Sequence, residues 1–371
     1  MGETQWVTEQ LALFEQKFQS ELARLGTKIP HYAKVGVYHQ NMAKEDITWW
    51  TNGFLGGILW QLSDQLDDPR YQARAEQLEA QLDQAFLAFN GLHHDVGFMW
   101  LHTAVADYRR THSPLAKRRA LHAATLLAGR FNPEGHYLRS WNEDKTHWVI
   151  IDSLMNIPLL YWASAVTGDS RFKQMAMQHA DTVLANHIRA DGSVNHIVIF
   201  DEAGTAIETP GGQGFGPGSA WSRGQAWAIY GMVLSFQHTG EMRYLDAAKR
   251  VAHYFIANVV NTGYIPLVDF RAPQEPVKYD TSAGLCAACG MLAIASAVPE
   301  AEQAFYHMHA LKLVQAISAK AADWTPEHDG IIGFGTGAYH DANTLHVSLI
   351  YSDYFFLEAL LRLSGQYQEM W

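Results

Sequence analysis

Two kinds of helical segment alternate along this chain, and no other feature restricts its fold as much. Residues 5–24, 115–130 and 300–320 carry apolar residues three and four apart with a polar opposite face. The segments that follow Asp68, Asp169 and Glu241 have the same character. Between them lie 49–63, 96–109, 152–166, 220–238, 282–298 and 345–363, which are far more uniformly apolar. A helix that is apolar all round must be buried, whereas one with a polar face lies outside. Six outer helices alternating with six inner ones predict an all-α fold, an (α/α)6 barrel of six helical hairpins. An open solenoid of hairpins is the competing architecture. It would leave one flank of the inner helices in water, which their composition disfavours.

A short repeat marks three of the outer helices. Asp68-Pro69-Arg70-Tyr71, Asp169-Ser170-Arg171-Phe172 and Glu241-Met242-Arg243-Tyr244 each precede an alanine four residues after the aromatic. Thr167-Gly168 and Thr239-Gly240 stand before two of them as turn signals. The acidic residue suits the positive end of the helix it opens. Strand signals are sparse: 194–200 and 205–208 predict one short hairpin around Glu202-Ala203-Gly204. No shift in composition divides the chain, so a single domain over 1–371 is expected.

The 27 Lys+Arg against 38 Asp+Glu give a net charge of −11. That balance argues against nucleic acid and anionic membranes as partners, though a local Arg/His pocket could still hold a small anion. No uninterrupted apolar run is long enough for a membrane span. The amphipathic start lacks the form of a signal peptide, so a cytoplasmic location is expected. Cys286 and Cys289 are too few for a disulfide scaffold or a zinc site. They read as small buried helix residues, with a redox pair as the alternative. No metal or cofactor is expected.

If the ring closes, the segments entering the inner helices share one rim, where polar and aromatic residues collect. Trp49, Trp50 and Asn52 precede the first inner helix; His93, His94 and Asp95 precede the second; Asp152 opens the third. His196 lies on the hairpin, and Gln213 in the Gly-rich stretch 211–218. Trp221, Arg223, Gln225 and Trp227 start the fourth inner helix. Each has an ordinary reading. Aspartates cap helices, tryptophans fill cores, and an arginine stem packs among aromatics. Two aspartates, each directly ahead of a core-type helix and set among aromatics, point instead to acid–base chemistry. Arg223 and Trp227 are four apart and share a helix face, suited to clamping a carboxylate and stacking a sugar ring. The Gly-rich stretch lacks the Lys-Ser/Thr ending of a phosphate-binding loop. His307 and His309 read as surface residues of an outer helix.

The chain resembles the bacterial unsaturated glucuronyl hydrolases. The resemblance rests on Trp50-Thr51-Asn52-Gly53-Phe54, His94-Asp95-Val96-Gly97-Phe98, Ile151-Asp152-Ser153-Leu154-Met155-Asn156 and Ser219-Ala220-Trp221-Ser222-Arg223-Gly224-Gln225-Ala226-Trp227. It implies the same helical ring, and a substrate oligosaccharide made by a polysaccharide lyase, ending in a 4,5-unsaturated uronic acid. It also implies hydration of the C4=C5 vinyl ether, followed by collapse of the hemiketal and loss of the glycosidic link. By resemblance Asp152 is the general acid and then the base, and Asp95 the second carboxylate. Trp50, His94, Trp141, His196, Gln213, Arg223 and Trp227 hold the sugar. Asn156, one turn past Asp152, is placed to orient its carboxyl. An unsaturated rhamnogalacturonyl hydrolase, a sugar 2-epimerase on the same barrel and a non-catalytic helical scaffold are the rival readings.

Overall fold

A computed structural model describes residues 2–66 and 68–371. Among these residues, twelve long helices alternate between an outer and an inner ring. The outer helices are α1 (Glu3–Leu25), α3 (Pro69–Leu87), α5 (Pro114–Ala128), α7 (Ser170–Asn186), α9 (Met242–Val259) and α11 (Glu300–Ala321). The inner helices are α2 (Phe54–Gln65), α4, α6 (Pro158–Thr167), α8 (Ser222–Thr239), α10 (Thr281–Ala295) and α12 (Ile350–Leu363). Helix α4 is built from Val96–Trp100, a π-helical turn at Leu101–Val105, and Ala106–Thr111. Each inner helix packs on the next, and α12 packs back on α2, so the ring is closed. This is the (α/α)6 barrel expected from the alternation.

Burial follows the same division. Every residue of α10 is buried, as are Phe54–Leu62 of α2 and Ser222–Ser235 of α8. On α9 the buried set is one stripe that includes Tyr244, Ala248, Val251 and Phe255, and the other face is wet. The repeated acidic residues begin their helices. Asp68 and Asp169 accept hydrogen bonds from the backbone N–H groups of Arg70 and Arg171, while Glu241 occupies the cap position without such a bond. Gly168 and Gly240 end α6 and α8 at φ of 74° and 76°, the left-handed turn that favours glycine. Cys286 and Cys289 are free and buried on α10. His309 departs from its expected surface position: it is buried, with Nδ1 3.0 Å from the Tyr264 hydroxyl.

The connections are unequal. Inner-to-outer links are short turns, such as 112–113, 168–169 and 240–241. Outer-to-inner links are long: 26–53, 88–95, 129–157, 187–221, 260–280 and 322–349. They gather on one rim and carry the short strands. The expected hairpin pairs Ile197–Phe200 with Ala206–Glu208. Trp148–Ile150 adds a third, antiparallel strand, with Ile150 opposite Ile197. Tyr32–Lys34 pairs with both Val37–Tyr38 and Ser348–Leu349, sewing the first rim segment to the last. No helix among the described residues is long and apolar enough to cross a membrane.

Asp152 does not open a long helix. It lies in a 3-10 turn, Ile151–Met155, and α6 begins only at Pro158. Proline has no N–H to give, so it fits the first turn of a helix, where that N–H would have no intrahelical partner. At this point α4 and the turn come very close. A Cβ on Gly97 would lie 2.4 Å from Asn156 Cα and 2.5 Å from its carbonyl oxygen. Gly97→Ala is therefore expected to destabilise the protein by about 1–3 kcal/mol, as overpacking does. A thermal melt checks this; an unchanged midpoint would show that the two segments can part without loss.

Candidate active site

The long connections enclose a cavity of about 560 Å³ at the rim. Asp95, Asp152, Trp50, His94, Trp141, Gln213 and Arg223 line it. Seven of the nine residues expected from the sequence thus meet in one place.

Asp95 stands immediately ahead of α4, yet its carboxylate caps nothing in that helix. Its Oδ2 lies 3.1 Å from His93 Nδ1 and 3.3 Å from His94 Nε2. Its Oδ1 accepts a bond from Asn156 Nδ2 at 3.3 Å. Burial alone would raise its pKa, but the two imidazoles and their hydrogen bonds outweigh burial and hold the carboxyl far below the usual range. Asp95 is ionised at any ordinary pH. His93, His94 and Asp95 also bring potential metal-ligand atoms within 4.8 Å of one another. Here both rings direct a nitrogen at the carboxylate.

Asp152 lies in the opposite condition. Its Oδ1 is buried without a hydrogen-bond partner, facing His196 Nε2 at 3.7 Å. Burial pushes its pKa up to about 8, the negative charge of Asp95 adds to the rise, and Arg223 opposes it. Two carboxyls in one cavity are therefore held in different protonation states at neutral pH, the arrangement that separates an acid from a fixed charge. Asn156 joins them differently from the sequence expectation. Its Nδ2 bonds Asp95 and the Asp152 backbone carbonyl (3.1 Å), and its Oδ1 accepts from Phe98 N at 2.7 Å. It fixes Asp95 and the main chain of the turn, not the Asp152 carboxyl.

His196 does not line the cavity; it sits directly behind Asp152. Strand pairing puts it there, since Ile151 N donates to the His196 carbonyl at 3.0 Å. Gln213 N donates to its Nδ1 at 3.0 Å, so the ring proton sits on Nε2 and points at Asp152. Burial, assisted by Arg223, pushes His196 down to about 3, which keeps it neutral. The Gly-rich loop makes this contact possible. Gly212 has φ of +58°, and a Cβ there would lie 2.0 Å from His196 Nδ1. Gln213 Nε2 is bonded to the Gly337 carbonyl at 2.7 Å.

Two further expectations need correction. Trp227 lies under the cavity floor, fully buried, its ring 5.2 Å from Phe98 and 5.7 Å from Phe355. It shares a face with Arg223, but one helical turn carries it from the mouth into the apolar interior. Arg223 reaches the cavity, yet its guanidinium is largely engaged. It is paired with the buried Asp280, and it donates to the Thr336 carbonyl at 2.6 Å, to Ser282 Oγ at 3.3 Å and to the Gly337 carbonyl. Its carbon lies 4.6 Å from the Trp221 ring. Arg223 supplies positive field at Asp152 more than an open fork for a carboxylate.

Other lining residues escaped the sequence reading. His31 and Asp46 come from the first rim segment, Gly337, Asp341 and Thr344 from the last, and Tyr351 from the first turn of α12. None sits in a periodic pattern, and the strand pairing that unites these segments joins residues more than 300 positions apart. Trp50 packs with tilted rings against Tyr351 (4.9 Å) and Phe98 (5.4 Å), and the Lys145 ammonium covers Trp141 at 4.7 Å.

Comparison with known proteins agrees with this geometry. Residues 24–264 match the model of Glycosyl Hydrolase Family 88. The unsaturated glucuronyl hydrolase of Bacillus sp. (strain GL1) is 34% identical over 362 residues, 94% of each chain. The unsaturated chondroitin disaccharide hydrolase of Streptococcus pyogenes serotype M1 is 32% identical over 340 residues, covering 88% of this chain and 84% of that one. The crystal structure of the Bacillus sp. GL1 hydrolase, responsible for degradation of glycosaminoglycan, superposes with a TM-score of 0.91 at 33% identity over 96% of both chains. An unsaturated glucuronyl hydrolase bound to dGlcA-Glc-Rha-Glc gives the same TM-score over 95% of both. The chain belongs to Glycosyl Hydrolase Family 88, among the unsaturated glucuronyl hydrolases, and is a glycoside hydrolase.

Proposed function

We propose that this hydrolase releases the terminal 4,5-unsaturated uronic acid from lyase-generated oligosaccharides of the chondroitin or hyaluronan type. The chain acts as one catalytic domain in the cytoplasm. The opposed protonation of Asp95 and Asp152 in one cavity carries this reading. In the mechanism Asp152, protonated at neutral pH, delivers its proton to C4 of the vinyl ether. Positive charge develops at C5 and the ring oxygen, and ionised Asp95 stabilises it electrostatically. Asp152, now a carboxylate, takes a proton from water as that water adds to C5. The product is a hemiketal, which opens and releases the neighbouring sugar without displacement at the anomeric carbon. His196 Nε2–H faces the Asp152 carboxyl and favours its ionised form during the second step. Trp50 and Trp141 offer ring faces to the sugars, and Arg223 contributes positive field for the uronate.

A panel of unsaturated disaccharides from chondroitin, hyaluronan and pectin, followed by loss of the alkene absorbance, tests the substrate class. Turnover of the pectin fragment alone would replace the reading with a rhamnogalacturonyl hydrolase. Glu45, Asp46 and Asp341 also line the cavity. These carboxylates favour a neighbouring sugar without sulfate.

Asp152→Asn is expected to lower kcat by at least ~10²–10⁴, the worth of a placed proton donor. Its stability is expected to move the other way. A carboxyl whose folded pKa is raised keeps its proton in the native state while the unfolded chain loses it, so stability falls as pH rises from the ordinary value through about 8. The amide removes that loss, and the Asp152→Asn variant should melt above wild type by a margin that grows between pH 6 and 9. A margin independent of pH would contradict the raised pKa.

Wild-type activity should fall above pH ~8 as Asp152 ionises. Asp95→Asn removes the negative charge that helps hold the proton on Asp152. Its residual activity should therefore lose the alkaline limb at lower pH than wild type. A limb that stays in place would mean the two carboxyls do not sense each other.

A further inference from the structure

The Asp152 carboxyl is held in place by little of its own bonding, since Oδ1 has no hydrogen-bond partner. Its position must come from the main chain of the turn that carries it. That turn is anchored from outside the ring by a histidine for which the reaction has no direct use. His179 lies on outer helix α7, fully buried. Its Nδ1 accepts the backbone N–H of Leu138 at 2.9 Å. The ring proton must then sit on Nε2, which lies 2.7 Å from Ser153 Oγ. Ser153 in turn donates its hydroxyl proton to the Ile150 carbonyl at 2.6 Å. Every link is directional, and each donor meets one acceptor. The sequence Leu138 N–H, His179, Ser153 and Ile150 C=O closes around the backbone on both sides of Asp152.

We propose that His179, acting through Ser153, is a positioning residue that sets the Asp152 carboxyl against the reacting carbon. The inference rests on Asp152 being the proton donor. Burial supports it independently, for it pushes the His179 pKa down to about 3 and keeps the ring neutral in this one tautomer. His187, at the end of the same helix, adds a parallel tie: its Nε2 lies 3.2 Å from the Val149 carbonyl. Helix α7 therefore grips the strand–turn segment at two points. Displacement of a reacting group by about 1 Å can cost ~10²-fold in rate, so such a grip has a kinetic value that its contribution to stability does not measure.

Three variants test this. His179→Leu keeps bulk and burial but removes the acceptor and the donor. His179→Gln restores an oxygen acceptor and an N–H donor on one side chain. Ser153→Ala cuts the same connection with the loss of one atom, and serves if the leucine protein does not fold. In each, the titratable and charged groups around Asp152, namely Asp95, His94, His196, Arg223, Tyr351 and Cys286, are untouched. The proposal expects His179→Leu and Ser153→Ala to lower kcat ~10–100-fold with KM within about twofold. It also expects their alkaline limb to move to lower pH, because a loosened turn lets water reach the carboxyl. His179→Gln should recover most of kcat and the wild-type limb. A structural role alone would lower the melting point and leave the limb where it was. Wild-type kcat and limb in Ser153→Ala would overturn the proposal, as would equal losses in the glutamine and leucine proteins. Asp152→Asn is run alongside: if it stays active, the acid assignment has failed; if it is dead while His179→Leu is normal, only the positioning inference has.

Discussion

A carboxyl buried at the mouth of an apolar helical ring is the constraint on which the rest of this structure depends. Asp152 has its Oδ1 buried with no hydrogen-bond donor, and a second carboxylate shares its cavity. Desolvation and like charge act in the same direction, and the proton stays on. Asp95 is equally enclosed but receives two imidazoles and an amide, and the proton leaves. The same residue type thus takes two protonation states, decided by what surrounds each carboxyl. Asn156 and Gly97 make this possible by letting the second and third rim segments come close enough for one amide to serve both.

The fold was legible in the sequence because helical burial leaves a periodic record. A helix surrounded by others shows apolar residues on all sides, as α10 does, whereas α9 shows only a stripe. The acidic repeat was legible for a local reason, since Asp68 and Asp169 bond backbone groups two residues away. The detail of the turn at Asp152 was less legible. Ile151, Leu154, Met155, Ile157, Leu159 and Leu160 keep the apolar character going on both sides of the turn, and only Pro158 signals that the helix begins late.

The candidate site was legible where chemistry clusters locally and obscure where it depends on distant pairing. Asp95, Asp152, Trp50 and Arg223 sit in compact motifs ahead of inner helices, and the ring brings them together. His31 and the loop before α12 are joined to each other where Tyr32 pairs with Leu349, which no local pattern records. Trp227 shows the reverse failing. Helical spacing correctly placed it on the face of Arg223, but spacing does not tell depth, and one turn separates a cavity wall from a core. Arg223 was assigned a free fork because Asp280, its partner, lies 57 positions away.

The long connections on one rim divide labour among themselves. The two aspartates hang from the second and third connections, and the arginine follows the fourth, whereas the loop carrying Gly337, Asp341 and Thr344 belongs to the last. That loop touches the cavity without supplying either carboxyl. Exchange at Asp341 and Thr344 can therefore alter which neighbouring sugar fits, so long as the Thr336 and Gly337 carbonyls of the same loop keep their hold on Arg223 and Gln213. Diversification of diet and preservation of chemistry become separable evolutionary events.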